Sequence, residues 1–170
     1  DMYFADPRST VCKLALRDES PYYINENVFD NIQFYPEYFS FVSDKSGYPH
    51  LYWYSMNGNL IKQVTSGNYE VKNFIGWNPD TNEFYYTSNE ESPMRQAVYK
   101  IDRKGKKMKL SNQPGTNSPI FSSSMKYFMN KFTSLDTPIL ITLNDNTGKV
   151  LKTLVTNDKL KQKLAEYAIP

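Results

Sequence analysis

Few side chains in this sequence have the chemistry of a catalytic or metal-binding group. The 170 residues include one histidine, His50, and one cysteine, Cys12. A structural zinc site needs four ligands and a disulfide needs a second cysteine, so we predict no metal, no cofactor and no internal disulfide. His50 lies between a predicted turn and a predicted strand. We interpret it as a structural histidine that hydrogen-bonds to the neighbouring turn.

Carboxylates are the other candidates for chemistry. Two carboxylates that face each other across a cleft can hydrolyse glycosides. The carboxylates in loop-like segments are Asp44, Asp80, Glu90, Glu91 and Asp136. Surface loops commonly carry such residues, so we assign no catalytic residue to this chain.

Charge and hydropathy argue against two classes of interaction. The formal net charge is +2, and the one basic cluster, residues 103–107, straddles a predicted turn. We therefore predict no nucleic-acid partner. No segment has the roughly 20 consecutive apolar residues that a membrane-spanning helix needs. Aromatic residues make up 15% of the chain, which favours half-buried strands.

One hairpin pattern occurs three times, with a period of roughly 45 residues, the length of a four-stranded propeller blade. Each copy has two strand-like segments, a turn that contains glycine, and a third strand-like segment. The copies cover residues 39–65, 84–111 and 127–155. In the first copy the turn is Asn57-Gly58, a strong hairpin signal because both residues can adopt positive φ.

These repeats predict an all-β fold of antiparallel four-stranded blades from a β-propeller, about three blades plus a partial blade, with a short C-terminal helix. Residues 1–156 form the partial propeller domain. Within it, 1–20 is the outer hairpin of a preceding blade, and 32–66, 69–112 and 117–156 are the complete blades. The positions predicted to pack blade on blade are Phe39, Phe41, Tyr52, Tyr54, Val98, Ile139 and Ile141.

The last segment, residues 157–170, changes to helical spacing. Leu160, Leu164 and Tyr167 recur at intervals typical of one helix face. Asn157 or Asp158 is predicted to cap the first turn. This helix either connects the propeller to a further domain or covers a sheet edge.

Several motifs resemble the dipeptidyl peptidase IV family in order and spacing. Residues 43–54 match the family's Ser-x-x-x-Gly-aromatic-x-His-Leu-Tyr segment. Residues 58–71 match the hairpin that ends in Leu-Thr-x-Gly-x-Trp-Glu-Val, with Tyr69 in place of tryptophan. Further matching segments are 83–90, 98–101, 122–128, 148–154 and 160–164. The resemblance is dense from about residue 35 to residue 168 and weak before that.

The family pairs an eight-bladed N-terminal propeller with a C-terminal α/β-hydrolase domain. By this resemblance the chain is the last three blades and part of one before them, and it stops where the hydrolase begins. The family's catalytic serine lies in a Gly-x-Ser-x-Gly motif, which this sequence lacks. The family's paired glutamates lie in earlier blades, so Glu90 and Glu91 are not assigned to substrate binding.

The resemblance also points to two candidate substrate-binding residues before the first complete blade. Family members contribute an aromatic and a basic residue from this region to the rim of the extended peptide pocket. Phe29 is the better match and Tyr23 the second, and no arginine occurs between residues 22 and 34. Ordinary packing between blades is the alternative role.

The resemblance implies a noncatalytic propeller fragment of a serine-type dipeptidyl peptidase that gates and positions peptide substrates, in the periplasm or cell envelope. Its expected partners are peptide substrates, through the parent enzyme, and the α/β-hydrolase domain of the parent chain. A stand-alone propeller scaffold that binds proteins or glycans is the alternative. Because a cut propeller leaves apolar sheet faces uncovered, we also expect self-association.

Overall fold

A computed structural model describes residues 1–21, 23–24 and 31–167 of the chain. In this part of the chain, fourteen strands form one two-stranded and three four-stranded sheets, and a short helix follows the last strand. In each four-stranded sheet the strands are neighbours in chain order. The predicted fold class is therefore confirmed.

The N-terminal hairpin consists of β1 (Met2–Ala5) and β2 (Cys12–Leu16). Sheet 1 contains β3 (Gln33–Phe34), β4 (Tyr38–Ser43), β5 (His50–Ser55) and β6 (Leu60–Gln63). Sheet 2 contains β7 (Val71–Asn78), β8 (Glu83–Ser88), β9 (Ala97–Asp102) and β10 (Lys107–Lys109). Sheet 3 contains β11 (Thr116–Phe121), β12 (Tyr127–Thr133), β13 (Leu140–Asp145) and β14 (Val150–Val155). The chain divides into two compact units, residues 1–74 and 75–170, and the division falls within β7.

In the first unit, the N-terminal hairpin packs on sheet 1 through aromatic and aliphatic side chains. Leu16 of β2 joins a buried cluster with Phe39, Phe41, Tyr52 and Tyr54, which lie on the two central strands of sheet 1. The rings of Phe39 and Tyr54 lie opposite each other in register and stack at 5.1 Å between centroids. Both faces of β4 and β5 are covered, which explains why their sequences are nearly continuous apolar runs instead of alternating ones.

In the second unit, sheet 2 packs on sheet 3. A buried cluster joins Tyr85, Val98 and Leu110 to Phe128 of β12. The rings of Phe121 and Phe128 stack at 4.7 Å. Burial of these rings removes apolar surface from water, which is the main favourable contribution to packing of one sheet on the next.

Two of the predicted packing positions are wrong. Phe39, Phe41, Tyr52, Tyr54 and Val98 are buried as expected. Ile139 is instead 40% exposed and precedes β13, and Ile141 is only half-buried. Alternate residues of a strand face opposite sides, and β13 turns Thr142 and Asn144 toward sheet 2. The hydrophobic pattern alone suggested the opposite register.

The three outer turns share one geometry. In each turn the N–H of the glycine donates to the carbonyl of the residue three positions before it, at 2.9–3.0 Å. The N–H of that residue in turn donates to the carbonyl of the residue that follows the glycine, at 3.0–3.1 Å. The glycines are Gly58, Gly105 and Gly148, with φ of +83°, +89° and +86°. This turn needs positive φ only at its last position, and Asn57 does not have positive φ.

The helix α1 (Asp158–Leu164) has no buried residue. Asn157 occupies the N-cap position with φ of +53° but forms no capping hydrogen bond. Its side-chain amide donates to the Ile139 carbonyl at 2.6 Å, and the Asp158 carboxylate accepts from Thr156 at 2.7 Å. Asn157 therefore ties the start of the helix to sheet 3 and does not cap the first turn, contrary to prediction.

Candidate functional site

The two predicted substrate-binding residues, Tyr23 and Phe29, come between β2 and β3 in the sequence. The side chain of Tyr23 is 79% exposed, so its phenol is accessible to a partner molecule. Phe29 lies outside the described residues. The assignment of both residues to a substrate site stays a prediction.

His50 is buried, 1% exposed, at the start of β5. Its Nε2 lies 2.9 Å from the Gly67 carbonyl oxygen, and its Nδ1 lies 3.1 Å from Oγ1 of Thr65. A carbonyl can only accept, so Nε2 carries the hydrogen and Nδ1 accepts from the threonine hydroxyl. Thr65 also accepts from the Leu51 N–H at 2.9 Å. Both ring nitrogens are occupied by the turn that follows β6, as expected of a structural histidine.

The same backbone contact recurs in sheet 2 without a histidine. The hydroxyl of Ser111 accepts from the Val98 N–H at 3.1 Å, as Thr65 does from Leu51. Ala97 takes the place of His50 in sheet 2. His50 pairs with Ser43, the last residue of β4, and Ala97 pairs with Ser88, the last residue of β8. Sheets 1 and 2 therefore share the hydroxyl contact, and of these two sheets only sheet 1 adds the imidazole.

Three of the candidate carboxylates, those of Glu90, Glu91 and Asp136, are engaged by local partners. Glu90 and Glu91 form ion pairs with Lys107 and Lys109 of β10. Hydrogen bonds from nearby hydroxyl groups, with the backbone N–H of Asp136, lower the pKa of the Asp136 carboxyl. Within the described residues, no group of three or more histidine, cysteine, aspartate and glutamate side chains could hold a metal ion.

An ion pair that the sequence analysis did not single out lies in sheet 2. Lys100 donates to Glu83 at 2.9 Å, and both side chains are mostly buried, 13% and 19% exposed. The hydroxyls of Thr81 and Tyr85 also donate to Glu83, each at 2.9 Å. Burial opposes ionisation of Glu83, but the hydrogen bonds from Lys100, Tyr85 and Thr81, with the positive charge of Lys100, lower its pKa overall. Spacing along β8 places Glu83 and Tyr85 on one face, but the sequence carries no signal for their partner Lys100, which lies on the neighbouring strand β9.

A second polar cluster joins the β4–β5 loop to sheet 1. The ammonium of Lys45 donates to the Tyr54 hydroxyl at 2.6 Å and lies 4.0 Å from the centroid of the Tyr52 ring. Burial and the negative charge of Asp18 raise the pKa of Tyr54 to about 12. Tyr54 is therefore neutral at physiological pH, where it accepts a hydrogen bond and does not act as a base.

The described side chains thus supply a partner-accessible tyrosine and several satisfied polar clusters. The Thr65 hydroxyl that donates to His50 is buried together with the imidazole, so no substrate can reach this pair. In this part of the chain, no helix is long and apolar enough to cross a lipid bilayer. Function must be inferred from kinship with other proteins and from the fold.

Comparison with known proteins gives consistent matches. The chain is similar to dipeptidyl peptidase 4 of the fungus Arthroderma otae, with 30% identity over 139 residues, which is 79% of this chain and 18% of that protein. The crystal structure of Porphyromonas gingivalis dipeptidyl peptidase 4 matches with a TM-score of 0.90 and 37% identity, over 95% of this chain and 23% of that one. This chain therefore spans about a fifth of the length of such relatives.

A second solved structure shares the fold. A putative dipeptidyl aminopeptidase IV from Bacteroides ovatus matches with a TM-score of 0.63 and 24% identity, over 74% of this chain and 21% of that one.

The family model is described as the dipeptidyl peptidase IV N-terminal region, and it matches residues 1–139. It includes the N-terminal hairpin, where the motifs alone show little resemblance, and it ends at the start of β13. On this match, which covers most of the chain, the protein belongs to the family of dipeptidyl peptidase IV N-terminal regions.

Proposed function

We propose that this chain is a noncatalytic part of the propeller of a serine-type dipeptidyl peptidase that releases dipeptides from peptide N-termini. The observation that carries the proposal is the 0.90 TM-score at 37% identity to P. gingivalis dipeptidyl peptidase 4, of which the chain covers 23%. A likeness this extensive supports a common role. The low coverage supports assignment of the chemistry to residues of the parent protein that are outside this chain.

In this proposal the sheets restrict and position the substrate. Stacked four-stranded sheets form a rigid support, and residues on their rims can hold an extended peptide end against a distant nucleophile. Tyr23 and Phe29 are the rim candidates. The parent's α/β-hydrolase domain supplies the serine nucleophile and its base.

The full reading frame and its activity test the assignment. We expect the untruncated gene to encode a Gly-x-Ser-x-Gly motif downstream of residue 170. We expect the parent protein to cleave a glycyl-prolyl chromogenic substrate that the 170-residue chain leaves intact. A reading frame without a hydrolase domain would favour the scaffold alternative, and turnover by the 170-residue chain would place the catalytic groups within it.

The positioning role has its own test. In the parent protein, Phe29→Ala and Tyr23→Ala should raise KM for peptides longer than a dipeptide with little change in kcat, because binding is lost in the ground state and the transition state alike. Tyr48→Ala is the matched control, since Tyr48 is an exposed aromatic residue of the β4–β5 loop, 41% exposed. Equal effects of all three substitutions would contradict a rim site at Tyr23 and Phe29.

A further inference from the structure

A small cavity lies where sheet 2 meets sheet 3. Its volume is about 40 Å³, and its walls come from the buried face of sheet 3 and from residues 110–113, which follow β10. All the residues that line it are uncharged. The polar ones on the sheet 3 side are Asn117, Asn130, Thr142 and Asn144.

A chain of side-chain amides leads to this cavity and fixes its own orientation. Nδ2 of Asn117 donates to the Gln96 carbonyl at 2.8 Å, and Nδ2 of Asn130 donates to Oδ1 of Asn117 at 2.8 Å. The Gln96 carbonyl can only accept, so Asn117 must turn its NH₂ toward it and its oxygen toward Asn130. Asn130 must then present its own NH₂ to Asn117, which leaves Oδ1 of Asn130 at the end of the chain.

That terminal oxygen is a buried acceptor. Asn130 is 8% exposed, and its Oδ1 has no hydrogen-bond partner among the described residues. Buried polar atoms are almost always satisfied by protein or by ordered water. Such an acceptor at a cavity wall indicates that a donor is held in the cavity.

The neighbouring strand supplies a second anchor point. Thr142 lies opposite Asn130 in register. Its Oγ1 accepts from Nδ2 of Asn144 at 2.9 Å, which leaves the threonine hydroxyl hydrogen as a donor. One wall thus carries an acceptor and the next carries a donor, the arrangement that a bridging water molecule satisfies.

We propose that this cavity is an ordered-water site in which a water molecule donates to Oδ1 of Asn130 and accepts from the hydroxyl of Thr142. Pockets for organic ligands measure about 300–1,000 Å³, whereas a water molecule needs only about 10–15 Å³. A cavity of about 40 Å³ therefore holds between one and about three water molecules and excludes a sugar ring or a peptide side chain. The uncharged walls give an ion no compensating charge. This inference does not depend on the proposed function.

A high-resolution crystal structure of the 170-residue chain tests the site directly. We expect density about 2.7–3.2 Å from Oδ1 of Asn130 with at least one further polar contact. An empty cavity, a direct hydrogen bond from Thr142 to Asn130, or a metal ion surrounded by five or six oxygens would each overturn the proposal.

Solution measurements with a matched pair of variants provide an independent test. Thr142→Val keeps the shape of the side chain and removes the hydroxyl, and Thr153→Val makes the same change at the exposed residue opposite it in β14. By nuclear Overhauser spectroscopy, we expect the cross-peaks between long-lived water and the side-chain amide of Asn130 to disappear in Thr142→Val. They should persist in Thr153→Val. Loss in neither variant, or equal loss in both, would contradict a water molecule held by Thr142.

Discussion

The glycine of the third outer turn provides the sharpest test of how neighbouring sheets contact each other. Gly148 has φ of +86°, and a Cβ added there would lie 2.4 Å from the backbone oxygen of Leu110. Leu110 cannot retreat easily, because it is 1% exposed and its N–H donates to the Val98 carbonyl at 2.8 Å. Gly105 has the same turn geometry with φ of +89°, and a Cβ there would meet no described atom of its own unit within 4 Å.

This pair separates backbone strain from contact between sheets. The left-handed conformation costs an alanine about 1–2 kcal/mol, and reduced freedom of the unfolded chain offsets about 0.4–1 kcal/mol. We therefore expect Gly105→Ala to lower the free energy of unfolding by about 1 kcal/mol. Gly148→Ala has the same cost plus about 1–3 kcal/mol for forcing a methyl group against a fixed carbonyl. The expected loss for Gly148→Ala is about 2–4 kcal/mol.

Thermal unfolding of the 170-residue chain, followed by circular dichroism, measures the difference. For a chain of this size, 1 kcal/mol shifts Tm by about 2–4 °C. Gly148→Ala should therefore melt about 2–12 °C below Gly105→Ala. Equal Tm values for the two variants would refute the reasoning, since they would show that backbone strain alone sets the cost.

Three further predictions concern the ion pair, the buried histidine and the open sheet face. Glu83→Gln should destabilise the chain by about 1–2 kcal/mol at neutral pH. Because folding lowers the pKa of Glu83, this difference between the two proteins should be lost as the pH falls below the ordinary value of 4.5 and through the folded-state pKa. Urea unfolding of both proteins across this pH range measures the difference. His50→Ala should lower the free energy of unfolding by about 2–4 kcal/mol, since it removes two hydrogen bonds and leaves a cavity; a loss below 1 kcal/mol in urea titrations would count against the structural role. We expect the chain to self-associate through the outer face of sheet 3, where Ile120 and Met129 are paired and are 68% and 43% exposed. Light scattering should show a smaller mass for the double variant Ile120→Glu with Met129→Glu than for the control variant Met94→Glu, whose site is 87% exposed. Equal masses for the two variants would argue against association through this face.

The repeating pattern was sufficient to predict the sheets, because each blade is a local unit. Segments such as β4 and β8 are dense in aromatic and β-branched residues, and the turn glycines mark where each outer hairpin reverses. These signals act within about ten residues along the chain, so they are readable without knowledge of distant contacts. The same locality explains why the bounds of the central strands agree closely with the segments expected from sequence.

The errors arise where a distant partner decides the outcome. Ile141 is more apolar than Thr142, yet Thr142 faces sheet 2, because the register of β13 is set by its pairing with β12. Asn157 is a favourable capping residue, but the Ile139 carbonyl engages its side chain first. The Glu83–Lys100 pair and the amide chain at Asn130 depend on cross-strand proximity that spacing along one strand does not reveal. For Tyr23 and Phe29, kinship supplied the candidate site, and no local pattern distinguishes them from packing residues.

The amides on the buried face of sheet 3 have a mechanical consequence. Aromatic contacts such as that between Phe4 of β1 and Phe39 of β4 retain much of their attraction when one ring slides over the other, whereas hydrogen bonds such as that from Asn117 to the Gln96 carbonyl weaken steeply as their angle changes. Under a shearing force the joint between the N-terminal hairpin and sheet 1 should yield gradually. The joint beneath sheet 3 should resist until its hydrogen bonds break together, and then give way abruptly.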